Sequence, residues 1–192
     1  MSQDVLTADL VPATRLMAHA ALTADGPAML TPSGAAELAL RQTLQRALWP
    51  ADIVQRADDY LQRFPNHAGA ADVMLQRQRA SATAALLRRS DVDLFRAAFV
   101  PQSSDGPEVD NLRRAALGDA DAAFRLAQQP PALEWRRVGW LQYAALLGSD
   151  RAAYALSLHY RRAAQPLMAS QFEARAVALG FQPPAGLDHT RK

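Results

Sequence analysis

AALLGSDRAAYALSLHY, residues 144–160, is the stretch whose reading decides the fold. Small residues, a glycine break and aromatic anchors recur in it at helix–turn–helix spacing. The stretch AALGDADAAFRLA, residues 115–127, repeats its core about thirty residues earlier. Gly118 stands where Gly148 does, and Ala122 and Ala123 where Ala152 and Ala153 do. Phe124 matches Tyr154, and Leu126 matches Leu156. A period of this length is the mark of stacked helical hairpins. It says how the chain folds and what kind of work it does. It does not name a partner.

Composition agrees with a helical reading. The chain has 192 residues, the size of one domain or one short solenoid. Its hydrophobic share, 49%, is ordinary for a packed core. Alanine is the outlier at 41 residues. It is the strongest helix former, and its small side chain lets helices approach closely. No stretch alternates cleanly between polar and apolar residues, so no sheet is expected. The fold class expected is all-α, a short superhelical solenoid of antiparallel hairpins.

The formal net charge is +2, unevenly spread. Residues 1–100 hold ten Arg against ten acidic groups, whereas residues 120–192 hold nine basic against five acidic. Every basic residue but the final Lys192 is arginine. With no cysteine, the chain has no disulfide, thiolate chemistry or Cys-based metal site. The opening MSQDVLTADL has two acidic groups and no basic region, so it does not read as a signal peptide. No apolar run approaches the ~20 residues of a membrane span. A cytoplasmic protein is expected, or a periplasmic one had a leader been removed.

Helix signals divide the chain. A short helix over residues 12–24 ends at Asp25-Gly26-Pro27. Thr31 or Ser33 opens a second helix, expected to run to Leu48. Pro50 starts a third. Pro65-Asn66 stops it and caps a long helix over 67–88, lined by Val73, Leu75, Ala82, Ala85, Leu86 and Leu87. Ser90-Asp91 opens a shorter one through Phe99. PQSSDGPE, residues 101–108, reads as a linker. Helices then follow at about 108–117, 119–129, 132–147, 149–163 and 166–179. Gly118 and Gly148 sit at C-terminal ends, with Asp119 and Ser149 as the next caps. The organisation expected is an N-terminal segment (1–30), hairpins (31–100), the linker, repeats (109–182) and a frayed tail (183–192).

The segment 144–160 resembles a Sel1-like repeat, a branch of the tetratricopeptide superfamily. The family's small pair, glycine, alanine, aromatic, leucine and tyrosine fall on Ala144, Ala145, Gly148, Ala152, Tyr154, Leu156 and Tyr160. The earlier copy keeps Gly118, Ala122, Phe124 and Leu126 but has Pro130 where the final tyrosine belongs. Residues 176–180 keep a third, partial copy. The family's Gly-rich inter-helix loop is absent, and the period of about 30–32 is short for it. The resemblance covers about residues 108–182. Tyr60, Phe64-Pro65, Ala70-Ala71 and Leu75 resemble a tetratricopeptide hairpin more loosely. The resemblance implies a right-handed superhelix whose concave surface holds a peptide or another protein. It makes the small residues, Tyr154 and Tyr160 packing positions and brings no catalytic residues.

No site for chemistry stands out. His19, His67, His159 and His189 lack metal-ligand spacing, and no P-loop, GxGxxG or GxSxG occurs. Neither cofactor nor enzymatic activity is expected. Glu134 reads as a salt-bridged helix start beside Arg136 and Arg137. One surface pattern remains. Arginine pairs stand at 88–89, 113–114, 136–137 and 161–162, and EWRRVGW (134–140) sets Trp135 and Trp140 around one of them. Trp, Tyr and Arg are enriched at binding hot spots. Trp135, Arg136, Arg137, Trp140, Tyr143, Arg161 and Arg162 are therefore the candidate partner-binding residues. The alternative is that Trp140 and Tyr143 are buried between hairpins and the arginines are solvated.

The function expected is a non-enzymatic adaptor or scaffold that grips a partner segment. A second reading is a binder of nucleic acid or another anionic polymer, using one arginine per pair as a stripe. The near-neutral total charge weakens it. A third is a structural component of a bacterial envelope or secretion assembly.

Overall fold

A computed structural model describes residues 32–102, 106–130 and 133–182. The helix expected over 12–24, the Thr31 cap and the tail lie outside the described residues. The described residues form eight α-helices and one short 3-10 helix, with no strand among them.

Helix α1 (Pro32–Arg46) ends two residues before Leu48. Ser33 lies inside its first turn rather than before it. Helix α2 (Pro50–Arg63) starts where Pro50 fixes its first turn and Asp52 faces the N-terminal dipole. Ile53, Ala57 and Tyr60, at helical spacing, bury its inner face. Helix α3 (Ala70–Leu86) begins three residues later than the Pro65-Asn66 signal implies, because residues 65–69 form turns. Its buried face is Val73, Ala80 and Thr83; Leu75, Ala82 and Ala85 are exposed.

The helix expected from Ser90 to Phe99 is absent. The Asp91 carboxylate takes Arg89 through two hydrogen bonds (2.8 and 2.7 Å) instead of capping a helix. Residues 92–95 carry no helical hydrogen-bond pattern, and Val92 and Leu94 point inward while Asp93 and Phe95 point out. Only Arg96–Phe99 coils, as the 3-10 helix. This segment crosses α6 at Gly139. A Cβ there would stand 2.5 Å from the Asp93 carbonyl oxygen, so only glycine allows the approach.

Helices α4 (Pro107–Ala116), α5 (Ala120–Gln128), α6 (Glu134–Leu146), α7 (Asp150–Arg162) and α8 (Pro166–Ala178) follow. Asp119 and Ser149 cap α5 and α7, accepting from the amides of Ala122 (2.8 Å) and Ala152 (3.2 Å). Helices α4, α6, α7 and α8 end alike. The amide of the third residue past each end reaches back five residues: Asp119 to Arg114, Ser149 to Ala144, Gln165 to Tyr160 and Phe181 to Ala176, at 2.9–3.0 Å. The residue before it is left-handed: Gly118, Gly148 and Gly180 at φ 92–101°, and Ala164 at φ 55°.

Each helix packs on its sequence neighbour, α1 on α2, α2 on α3, and then α4 through α8 in succession. One buried core runs from Leu44 to Ala176. Phe99 links its N-terminal part to α6, standing edge-on to Trp49 at 5.1 Å and lying 4.7 Å from Trp140.

One position of the period recurs in an unexpected role. Arg113, Tyr143 and Arg175 each stand five residues before a left-handed glycine. All three donate to main-chain carbonyls at an earlier turn. Tyr143 Oη reaches Ala115 O (2.9 Å), and Arg175 Nη2 reaches Ala145 O (2.9 Å). Ala115 and Ala145 are themselves equivalent, three residues before Gly118 and Gly148. Arg113 Nη1 donates to Leu44 O and Ala47 O (both 2.8 Å), closing the end of α1.

Candidate functional site

The sequence-predicted cluster on α6 divides between core and surface. Trp140 and Tyr143 are fully buried. Burial pushes the Tyr143 hydroxyl well above the ordinary tyrosine range. Arg136 is buried too. Its Nη2 donates to Ala98 O (3.0 Å), and its ion pair with Glu108 (3.2 Å) leaves the two side chains 11% and 12% exposed. Glu108 also accepts the Gln102 amide (3.0 Å), so this pair ties residue 102 to the first turn of α4. A partner approaching from solvent does not meet Trp140, Tyr143 or Arg136. Their aromatic and guanidinium groups are consumed by packing and by carbonyls that need donors.

Trp135, Arg137, Arg161 and Arg162 remain at the surface. Arg137 holds Glu134 (3.1 Å), which also meets His159 Nδ1 (3.1 Å). The Arg137 hydrogen bond keeps the Glu134 carboxyl below the usual carboxylate range. Arg161 pairs with Glu173 (2.8 Å). The other pairs fare similarly. Arg89 holds Asp91, Arg114 holds Asp119 and the half-buried Arg113 holds carbonyls at the end of α1, while Arg88 and Arg162 extend into solvent. The four pairs form no stripe of unengaged cations. Their main targets are carbonyls and nearby carboxylates, and the carbonyls have no signature in the sequence.

The repeat residues lie between helices. Ala122, Ala144, Ala145, Ala152, Leu126, Leu156 and Phe124 are buried. Gly118 and Gly148 make the turns. Tyr154 stacks on Phe181 at 4.2 Å, and Tyr160 stacks on Phe172 at 5.4 Å.

Two surface features do not follow from the sequence pattern. The first is apolar. The Arg136 bonds to Ala98 O and Val100 O lay residues 95–100 along the first turn of α6. On that segment and at the start of α6, Phe95, Val100, Leu133 (61% exposed) and Trp135 (43% exposed) are all solvent-facing.

The second is a half-open cavity of about 500 Å³ between residues 91–93 and helices α6, α7 and α8. Gln142 forms its buried floor, with Oε1 accepting the Asp93 amide (2.9 Å) and Nε2 donating to Tyr160 Oη (3.2 Å). Tyr160, Phe172 and Met168 make an apolar wall. Asp91, Asp93 and Arg175 bring charge to the lining. Among the described residues Asp93 and Arg175 form no ion pair, and the buried Arg175 Nε has no acceptor. The extended segment and the turn-end arginine that build this cavity were missed by helix periodicity. The alternation Asp91-Val92-Asp93-Leu94 was the available signal.

No helix among the described residues is long and apolar enough to cross a membrane. Comparison with known proteins finds no matching family model, no matching curated protein and no matching solved structure.

Proposed function

We propose that this chain is a non-enzymatic protein-interaction module, a short superhelical array of Sel1-like hairpins that grips a segment of another protein. The observation that carries this reading is the recurrence of one position. Arg113, Tyr143 and Arg175 each reach back to the carbonyls of an earlier turn, as units stacked in series would. Packing of each helix on its sequence neighbour agrees with it.

The partner surface assigned by this reading is formed by the exposed apolar side chains Phe95, Val100, Leu133 and Trp135. Large exposed apolar side chains gathered in one region mark an interaction site more often than scattered ones do. Engagement of most paired arginines in internal contacts favours this reading over nucleic-acid binding. A role in a bacterial envelope or secretion assembly is the same proposal placed in a larger complex.

The test is capture from lysate on the immobilised chain, with and without nuclease, using the wild type and a Trp135→Ala/Phe95→Ala variant. A discrete protein that survives nuclease and is lost with the double variant is the expected result. Recovery of nucleic acid, or prey retained equally by the variant, overturns the proposal or its assigned surface respectively.

A further inference from the structure

The cavity beneath Asp93 is lined by two groups of opposite charge, Asp93 and Arg175, that do not pair with each other; the Asp91 carboxyl, held low chiefly by Arg89, also feels the Arg175 charge. Asp91 is satisfied by Arg89, but Asp93, beside it on the rim, has no ion-pair partner among the described residues. Arg175, also in the lining, uses Nη2 on Ala145 O and meets no carboxylate within ion-pair distance. Its Nε–H is buried without an acceptor.

The groups between these charges are fixed. Gln142 is held by Asp93 N on one side and by Tyr160 Oη on the other, tying the acidic rim to the tyrosine. Because Tyr160 Oη accepts from Gln142, its own proton is directed elsewhere. The Tyr160–Phe172 stack, its rings 16° from parallel, gives a flat apolar wall. The volume falls within the roughly 300–1,000 Å³ of small-molecule sites.

We propose that this cavity binds a small zwitterion of the α-amino-acid class. The ligand ammonium meets the Asp93 carboxylate. Its carboxylate takes the Arg175 guanidinium and the Tyr160 hydroxyl, and its apolar side chain lies on Phe172 and Met168. A carboxylate is the acceptor that the guanidinium fork fits best. A ligand with one charge leaves the opposite cavity charge unmatched, so the class requires both. This site is separate from the exposed apolar surface and does not depend on the partner reading.

Isothermal titration calorimetry of the full chain tests it, with leucine, N-acetyl-leucine and leucinamide as probes. Leucine is expected to bind, and each blocked derivative to bind roughly tenfold or more weakly, since each loses one charge. Asp93→Asn is expected to weaken leucine by about tenfold while leaving N-acetyl-leucine, which lacks the ammonium, unchanged. Asp93 is exposed, so this variant keeps the fold. Arg175→Lys, with folding checked by circular dichroism, is expected to weaken leucine more than leucinamide. No heat up to about 10 mM with leucine, phenylalanine or methionine overturns the proposal. So does equal binding of the blocked derivatives, or an Asp93→Asn variant that binds leucine as the wild type does.

Discussion

At the scale of single residues, the four like helix ends make an internal experiment. Gly118, Gly148 and Gly180 occupy the left-handed position freely, but Ala164 holds it at φ 55°. An L side chain there costs roughly 1–2 kcal/mol. Glycine's extra freedom in the unfolded chain offsets about 0.5–1 kcal/mol of that. Ala164→Gly is therefore expected to stabilise the fold by about 0.5–1 kcal/mol, measured by urea denaturation. Gly148→Ala should cost a similar amount, because nothing lies within 4 Å of a Cβ there and the backbone alone opposes it. Tyr143 adds a pH dependence. Burial raises its folded-state pKa above the unfolded value near 10, so folding favours the protonated form. Stability is unaffected by this group below pH 10 and falls as pH rises above it, by up to about 1.4 kcal/mol per unit. Tyr60 is also raised, mainly by burial, and contributes with the same sign. Denaturant titrations from pH 8 to pH 11 should therefore show a steeper alkaline loss in the wild type than in Tyr143→Phe.

At the scale of elements, the structure rewards local signals and defeats some longer ones. Helices α4 through α8 follow the sequence reading to within about two residues at each end, because glycine turns and Asp or Ser caps act within one turn of chain. The pairing of Ala122 with Ala152 was legible for the same reason. Ala152 is fully buried, so Ala152→Leu is expected to overpack the contact and destabilise by about 1–3 kcal/mol in thermal unfolding. The segment 90–99 was not legible. Ser90-Asp91 looks like a cap, but Arg89 captures the carboxylate, and the buried Val92 and Leu94 are set by a crossing over Gly139 that is distant in sequence. Of the candidate site, Trp135 was legible as a binding candidate from its place in EWRRVGW, whereas the cavity could not be found. Its lining comes from four separate elements brought together only by that crossing.

At the scale of the whole molecule, charge that reads as a surface stripe is largely structural. The Arg136–Glu108 pair is the plainest instance, since removing one partner strands a buried charge. Glu108→Ala is expected to cost about 3–5 kcal/mol by chemical denaturation, far more than a solvated ion pair is worth. The reach-back bonds of Arg113, Tyr143 and Arg175 carry a wider consequence. A stack of units that merely touch can fray from either terminus, each unit melting on its own. Here the departure of α8 strips a donor from the end of α6, and the departure of α4 uncovers the end of α1. Losing either helix leaves carbonyls without donors on another, so these helices are expected to open together rather than piece by piece.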